Sequence, residues 1–301
     1  MGETTIDDLY EQVRKAAPAT VGDVAPTLTP VAPGIRVVAL RTPTLPPAAH
    51  TNAYLVGASH GPQLLVDPGS PYPDQQIALE QILDAETDAG RPLALIALTH
   101  HHGDHVGGAA ELARRRDVGI AAHAATARRL AGRIDIARVL EPDEVIELGN
   151  VAVSCVFTPG HAEGHLCFAT GSATIAGDMV AGLGTILIDP SEGDMALYLA
   201  SLRALLARPQ AMLLPAHGPA IADGHAKLRE YIAHRLMREA KVKAALSGQP
   251  RTVDELVADA YSDTPRMLWP LASRSLLSHL AKLARDGSAE EVGPERWVSR
   301  G

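Results

Sequence analysis

One seven-residue run, Thr99-His100-His101-His102-Gly103-Asp104-His105, constrains this chain more than any other feature. It follows an apolar run at 93–98 and precedes an amphipathic stretch at 106–116, a pattern that predicts a turn from a strand into a helix. Four imidazoles and a carboxylate in one turn exceed any need of core packing, because each histidine carries two ring nitrogens that must be satisfied. Metal ligation is the best use of such side chains.

The spacing within the run favours two metal ions. In an extended segment His100 and His102 point to the same side, two residues apart. Gly103 allows a turn that carries Asp104 and His105 toward a second position. A solvated polar loop or an engineered histidine tag is the alternative interpretation, and the flanking strand and helix disfavour it.

The run resembles the T-H-x-H-x-D-H signature of the metallo-β-lactamase superfamily, and three further motifs follow in the order typical of that family. They are Pro159-Gly160-His161, Gly177-Asp178 and Pro215-Ala216-His217-Gly218. The resemblance implies a first metal ion on His100, His102 and His161, a second on Asp104, His105 and His217, and Asp178 as the bridge between them.

Downstream segments resemble the β-lactamase-like protein 2 branch of this superfamily, whose members carry a C-terminal winged-helix domain. The segments are 184–190, 193–202, 216–219 and 231–235. The resemblance implies an α/β fold, a four-layer αββα sandwich followed by a small winged-helix domain. We expect an N-terminal helix and linker at 1–34, the catalytic domain at 35–224, a connecting helix at 225–248 and the winged-helix-like domain at 249–301.

The pattern of apolar residues predicts the remaining helices and strands. Ile6, Leu9, Tyr10 and Val13 lie on one face of a short helix opened by a capping box at Thr5. Residues 17–34, rich in Ala, Pro, Thr and Gly, predict no regular structure. Three short strands at 35–66 are separated by Pro and Gly, strands and helices alternate at 73–131, and a run of short strands follows at 145–176. This pattern is that of a layered α/β fold.

Five other residues are interpreted individually. Asp67 ends a strand at the edge where the histidine run emerges, so it is either a carboxylate that orients a ligand histidine or an ordinary turn residue. His165 is predicted to support the ligands rather than to be one. His123 at a strand end is more often structural than functional. Cys155 and Cys167 lack C-x-x-C spacing and are expected in the core.

The charge and apolar content of the chain limit which kinds of partner it can bind. The net charge is −8, and acidic residues dominate before His225 while basic residues exceed acidic ones by three from His225 onward. A mildly basic tail can touch RNA, but ordinary surface variation explains the same counts. The absence of an apolar h-region and of any apolar stretch near 18 residues predicts a cytoplasmic protein with no membrane contact. The oligomeric state stays open.

The expected chemistry is hydrolysis by a hydroxide that bridges two metal ions, with Asp104 as both ligand and catalytic residue. Zinc suits imidazole and carboxylate donors, and iron or manganese is compatible with them. A small-molecule ester or thioester is the first candidate substrate. A single-strand-specific endoribonuclease is the second, and a winged-helix nucleic-acid-binding regulator is the non-enzymatic alternative. Because all seven ligands lie at or before His217, we expect the C-terminal domain to leave metal content unaffected.

Overall fold

The computed structural model describes residues 6–16, 25–209 and 211–300. The helices are α1 (Ile6–Ala16), α2 (Pro73–Asp88), α3 (Gly103–Val106), α4 (Ala109–Arg116), α5 (Ala124–Leu130), α6 (Met195–Leu206), α7 (Gly224–Ala245), α8 (Val253–Ala260) and α9 (Trp269–Arg285), with a 3₁₀ turn at Arg266–Leu268. The strands are β1 (Thr29–Ala32), β2 (Ile35–Arg41), β3 (His50–Val56), β4 (Gln63–Val66), β5 (Leu93–Ala97), β6 (Gly119–His123), β7 (Arg138–Leu140), β8 (Val145–Leu148), β9 (Val151–Phe157), β10 (Leu166–Thr170), β11 (Ala173–Gly177), β12 (Met212–Pro215), β13 (Arg251–Thr252), β14 (Ala289–Gly293) and β15 (Arg296–Ser299).

Two sheets face each other across one apolar layer. The first sheet runs β1 to β7 in chain order, and the second has the order β12-β11-β10-β9-β8. Tyr54 and Val66 of the first sheet pack against Phe168 and Leu214 of the second, all four nearly fully buried. Successive side chains of a strand alternate between faces, so the neighbouring Leu55 turns to the outer face of its sheet.

Helices cover the outer face of each sheet. Leu83 of α2 and Leu112 of α4 pack on the first sheet, and Tyr198 of α6 and Leu228 of α7 pack on the second. Each outer face is apolar because its helices, rather than water, cover it. The predicted four-layer αββα arrangement is therefore confirmed.

The C-terminal residues form a separate small core. Strands β13, β15 and β14 make an antiparallel sheet beside α8 and α9. Leu256, Leu276 and Trp297 are buried there. Val242 and Leu246, at the end of α7, lie in the same cluster, so α7 packs against both the sandwich and the C-terminal core.

Two predictions made for the elements are wrong. The segment expected to be an irregular linker contains β1, which pairs antiparallel with β2 and extends the first sheet. Its Pro30 is compatible with this place because β1 is an edge strand, where a missing N–H costs little. The helix expected over 106–116 is broken at Gly107 and Gly108, which end α3 and precede α4.

The N-terminal helix packs on the rest of the molecule. It contacts α9 and the 3₁₀ turn, Val13 is buried, and Arg14 Nη1 donates to the Pro43 carbonyl at 2.6 Å. The expected cap at Thr5 and the side chains of Ile6 and Leu9 lie outside the described residues. Within the described residues, no helix has the length and apolarity needed to cross a bilayer.

Candidate metal centre

The predicted ligands converge where several strands end. Strands β4 and β5 are parallel neighbours in the first sheet, as are β11 and β12 in the second, so their carboxyl ends meet at one edge. The histidine run follows β5, Asp178 follows β11 and His217 follows β12, while His161 comes from the loop between β9 and β10. All seven predicted residues are brought together.

Three imidazoles face a common point in the first group. His100 Nε2 lies 2.9 Å from His102 Nδ1, and His161 Nε2 lies 3.3 Å and 3.1 Å from those two atoms. Asp178 Oδ2 is 3.5 Å from His161 Nε2. These four side chains can hold one metal ion.

The second group lies on the other side of Asp178. His217 Nε2 is 3.4 Å from Asp178 Oδ1 and 3.4 Å from Asp104 Oδ2. His105 Nε2 is 3.5 Å from Asp178 Oδ1 and 4.0 Å from Asp104 Oδ1. Asp104, His105 and His217 can hold a second ion, and Asp178 presents one oxygen to each group.

Each of the five histidines has its other ring nitrogen bonded to an oxygen of the protein. The pairs are His100 Nδ1 with Thr99 Oγ1 (3.0 Å), His102 Nε2 with Glu192 (2.7 Å), His105 Nδ1 with Asp67 (2.8 Å), His161 Nδ1 with the Leu187 carbonyl (2.9 Å) and His217 Nδ1 with the His50 carbonyl (3.0 Å). Such partners fix the orientation of each ring and turn its other nitrogen toward the site, where a metal ion would be bound.

Two buried atoms indicate that the residues suit a cation. His105 Nε2 and Asp178 Oδ1 are buried, and neither has a well-formed hydrogen bond among the described residues. An unsatisfied buried polar atom is costly and rare in a folded protein. These two atoms face the same space among imidazoles and carboxylates. A metal ion bound there would satisfy both of them.

Burial and neighbouring charges determine which of these side chains are charged at neutral pH. Burial, with the charges of His105 and His102, holds the pKa of His100 well below its usual value. Burial lowers the pKa of His161 to about 4. For Asp178, burial acts to raise the pKa, but the charges of His217 and His105 outweigh it and the pKa falls well below normal. His100 and His161 are therefore neutral imidazoles beside an ionised carboxylate at neutral pH.

The supporting residues predicted from the sequence occupy different places. Asp67 accepts bonds from Thr99 N (2.8 Å), Thr99 Oγ1 (2.6 Å) and His105 Nδ1, so it orients a candidate ligand rather than serving as a turn residue alone. His165 Nε2 accepts the Asp178 N–H at 3.1 Å. His123 lies elsewhere: its Nδ1 caps α5, and its ring stacks on Phe157.

Both cysteines are buried and unpaired, as expected. Burial raises the pKa of the Cys155 and Cys167 thiols to about 12. Both thiols are therefore protonated at neutral pH, and among the described residues neither lies in a group that could hold a metal ion.

Sequence reasoning missed one contributor to the centre, Glu192. Glu192 accepts bonds from His101 Nε2 (2.8 Å) and His102 Nε2, and it lies in a Pro-Ser-Glu-Gly stretch that signals only a turn. Burial and the carboxylates of Glu192 and Asp189 raise the pKa of the Tyr10 phenol of α1.

Comparison with known proteins identifies the family. The Metallo-beta-lactamase superfamily model matches residues 46–217, more than half of the chain, and the Beta-lactamase associated winged helix domain model matches residues 252–297. The chain belongs to the metallo-beta-lactamase superfamily. Members of this superfamily are typically metal-dependent hydrolases, and their fold typically binds two metal ions.

Individual relatives agree with this membership in the superfamily. The chain is 31% identical to the Beta-lactamase-like protein 2 homolog of Drosophila melanogaster over 252 residues, 79% of this chain and 83% of the relative. It is 36% identical to the Hydroxyacylglutathione hydrolase of Acidiphilium cryptum over 230 residues, 72% of this chain and 87% of the relative. The predicted resemblance to the β-lactamase-like protein 2 branch, with its winged helix, is confirmed.

A solved structure shares the fold over nearly its whole length. The structure of a beta-lactamase domain protein from Burkholderia ambifaria superposes with a TM-score of 0.78 at 22% identity, covering 94% of this chain and 96% of that one. The superposition covers more of this chain than the sandwich contains, so the shared fold extends into the C-terminal part of the chain.

Proposed function

We propose that this chain is a binuclear zinc hydrolase that cleaves a small-molecule thioester or ester. The observation that carries the proposal is that two groups of candidate ligands meet at Asp178, with each histidine already oriented through its other nitrogen. Imidazole and carboxylate donors suit zinc, although iron and manganese accept them too. Divalent cations in such a centre supply Lewis acidity and make water nucleophilic near neutral pH.

The protein's own groups have distinct parts in this proposal. His100, His102 and His161 would hold one cation, Asp104, His105 and His217 the other, and Asp178 both. Burial acts to raise the pKa of Asp104, but the charges of His105 and His217 lower it, so the carboxylate is ionised at neutral pH. It can therefore accept a hydrogen bond from the attacking water and orient it.

The charge around the centre favours a small substrate over RNA. Each arginine and lysine of α9 is engaged: Arg274 with Asp189, Lys282 with Glu239 and Asp286, and Arg285 with Asp194. Phosphate binding by nucleic-acid proteins depends on available lysines and arginines. The similarity to a protein named for hydrolysis of an acylated glutathione supports a thioester as the first substrate to test.

The test is one substrate panel on the metal-loaded protein: an S-acylglutathione, p-nitrophenyl acetate, single-stranded RNA and, for binding, duplex DNA. We expect turnover of the thioester or the ester, loss of turnover in Asp178→Ala, and retention in His60→Ala, a control change at an exposed histidine outside both ligand groups. Cleavage of RNA alone would replace the proposal with the ribonuclease alternative. A shift of duplex DNA without any hydrolysis would replace it with the regulator.

A further inference from the structure

The loop at 179–194, between β11 and α6, supports two candidate ligands of the first group. The Leu187 carbonyl accepts from His161 Nδ1 at 2.9 Å, and Glu192 Oε1 accepts from His102 Nε2 at 2.7 Å. The orientation of both imidazoles therefore depends on where this loop lies.

Asp189 fixes the loop between those two points. Its carbonyl accepts from Gly193 N at 2.7 Å, and its carboxylate accepts from Ser191 N (2.9 Å) and Ser191 Oγ (2.6 Å). The Asp189 side chain is 3% exposed, so its charge needs a partner within the protein.

That partner comes from the winged-helix domain. Arg274 of α9 donates Nε to Asp189 Oδ2 and Nη2 to Asp189 Oδ1, both at 2.7 Å. One turn further along α9, Ser278 Oγ donates to the Ile188 carbonyl at 2.6 Å. Two parallel N–H bonds to a carboxylate define direction as well as distance, which a lysine ammonium cannot do.

The second group is held from other directions. His105 is oriented by Asp67, after β4, and His217 by the His50 carbonyl at the start of β3. Among the hydrogen bonds of the described residues, none joins α9 to Asp67 or to the His50 carbonyl. A movement of α9 would therefore disturb the histidines of the first group and leave those of the second group in place.

We propose that Arg274 is a positioning residue for the first ion site: through Asp189 it holds the loop that orients His102 and His161, so the winged-helix domain sets the metal affinity of one site of the pair. The proposal rests on the ion sites put forward above. It gives the C-terminal domain a part in the centre although it contributes no ligand.

The test compares Co²⁺ binding in five full-length proteins: wild type, Arg274→Ala, Arg274→Lys, Arg251→Ala and Glu192→Gln. Arg251 is the matched control, because it makes a 2.7 Å ion pair with Asp259 inside the same domain, is 26% exposed against 32% for Arg274, and does not touch the loop. Titration in buffered Co²⁺ gives the stoichiometry and affinity of each site, and the visible absorption reports its geometry. Glu192→Gln shows which band belongs to the ion on His102.

We expect Arg274→Ala to weaken one of two Co²⁺ sites about tenfold, to change the band that Glu192→Gln changes, and to leave the other band alone. Arg274→Lys should recover part of the affinity, and Arg251→Ala should bind as wild type does. Circular dichroism monitors the fold of each variant. Wild-type affinity at both sites of Arg274→Ala, or an equal loss in Arg274→Ala and Arg251→Ala, would overturn the proposal. A wild-type protein that binds no cation would overturn the ion sites themselves.

Discussion

Asp178 faces both groups of candidate ligands, with Oδ2 3.5 Å from His161 Nε2 and Oδ1 3.4 Å from His217 Nε2. We expect Asp178→Ala to lower kcat/KM roughly a hundred- to a thousandfold and to reduce the number of bound ions, since both sites lose a charged ligand. Steady-state kinetics with elemental analysis measures both effects. Full activity with two ions per chain would contradict the assignment.

His101 offers a contrast within the same motif. It is not in either ligand group joined by Asp178, but it shares the Glu192 carboxylate with His102. We expect His101→Ala to cost less than about tenfold in kcat/KM, because the bond from His102 to Glu192 remains. A loss as large as that of Asp178→Ala, measured under the same conditions, would mean that His101 itself is a ligand.

The sequence was sufficient to find all seven candidate ligands, because four short motifs carry them in order. The groups that orient the histidines were harder to predict from the sequence. Asp67 had a signal, as a carboxylate at a strand end, whereas the Leu187 carbonyl is a backbone atom that any residue supplies. Glu192 lies 90 residues from His102 along the chain, and only the folded loop brings them together.

At the scale of elements, the broken helix results from contacts between distant segments. A Cβ on Gly107 would lie 2.7 Å from the Gly69 carbonyl oxygen, and one on Gly108 would lie 2.7 Å from the Pro68 carbonyl oxygen. The two glycines interrupt the helix so that the turn after Asp67 can pack closely against it. The local pattern of apolar residues contains no information about this contact between distant segments. The helix predicted from it was therefore continuous across Gly107 and Gly108.

Glu86 of α2 links the helix to the first sheet. It accepts bonds from Arg91 (2.7 Å), Gln63 (3.0 Å) and Arg36. The Arg91 bonds, with those from Gln63 and Arg36, outweigh burial and lower the pKa of Glu86 from 4.5 to about 2. A carboxyl group with a lowered folded-state pKa stabilises the fold above its unfolded pKa, and that stability is lost as the pH falls through the folded value.

We therefore expect Glu86→Gln to reduce the free energy of unfolding by on the order of 2 kcal/mol at pH 7. The difference from wild type should shrink between pH 4.5 and pH 2, where the wild-type carboxylate takes up its proton. Urea unfolding of both proteins at several pH values in this range measures it. A difference that does not change with pH would show that lost packing, rather than charge, is responsible.

At the scale of the whole molecule, the expectation that the C-terminal domain leaves metal content unaffected stays untested, and the role proposed for Arg274 predicts the opposite. Deleting residues 249–301 removes Arg274 and Ser278 from the 179–194 loop and exposes Val242 of α7 and Leu246, which follows it. We expect the truncated chain to hold about one ion in place of two and to be less soluble, as metal analysis and size-exclusion chromatography would show. A soluble, fully loaded fragment would contradict this.

The candidate ligands come from both sheets, and more than a hundred residues separate His100 from His217 along the chain. Ions shared among them would join distant points of the polypeptide, as a covalent cross-link does, and so restrict the conformations open to the chain. Because ions favour the state that assembles their ligands, they would add to the cohesion of the sandwich in proportion to the logarithm of their free concentration. A metal centre between the two sheets would therefore also hold the sheets together.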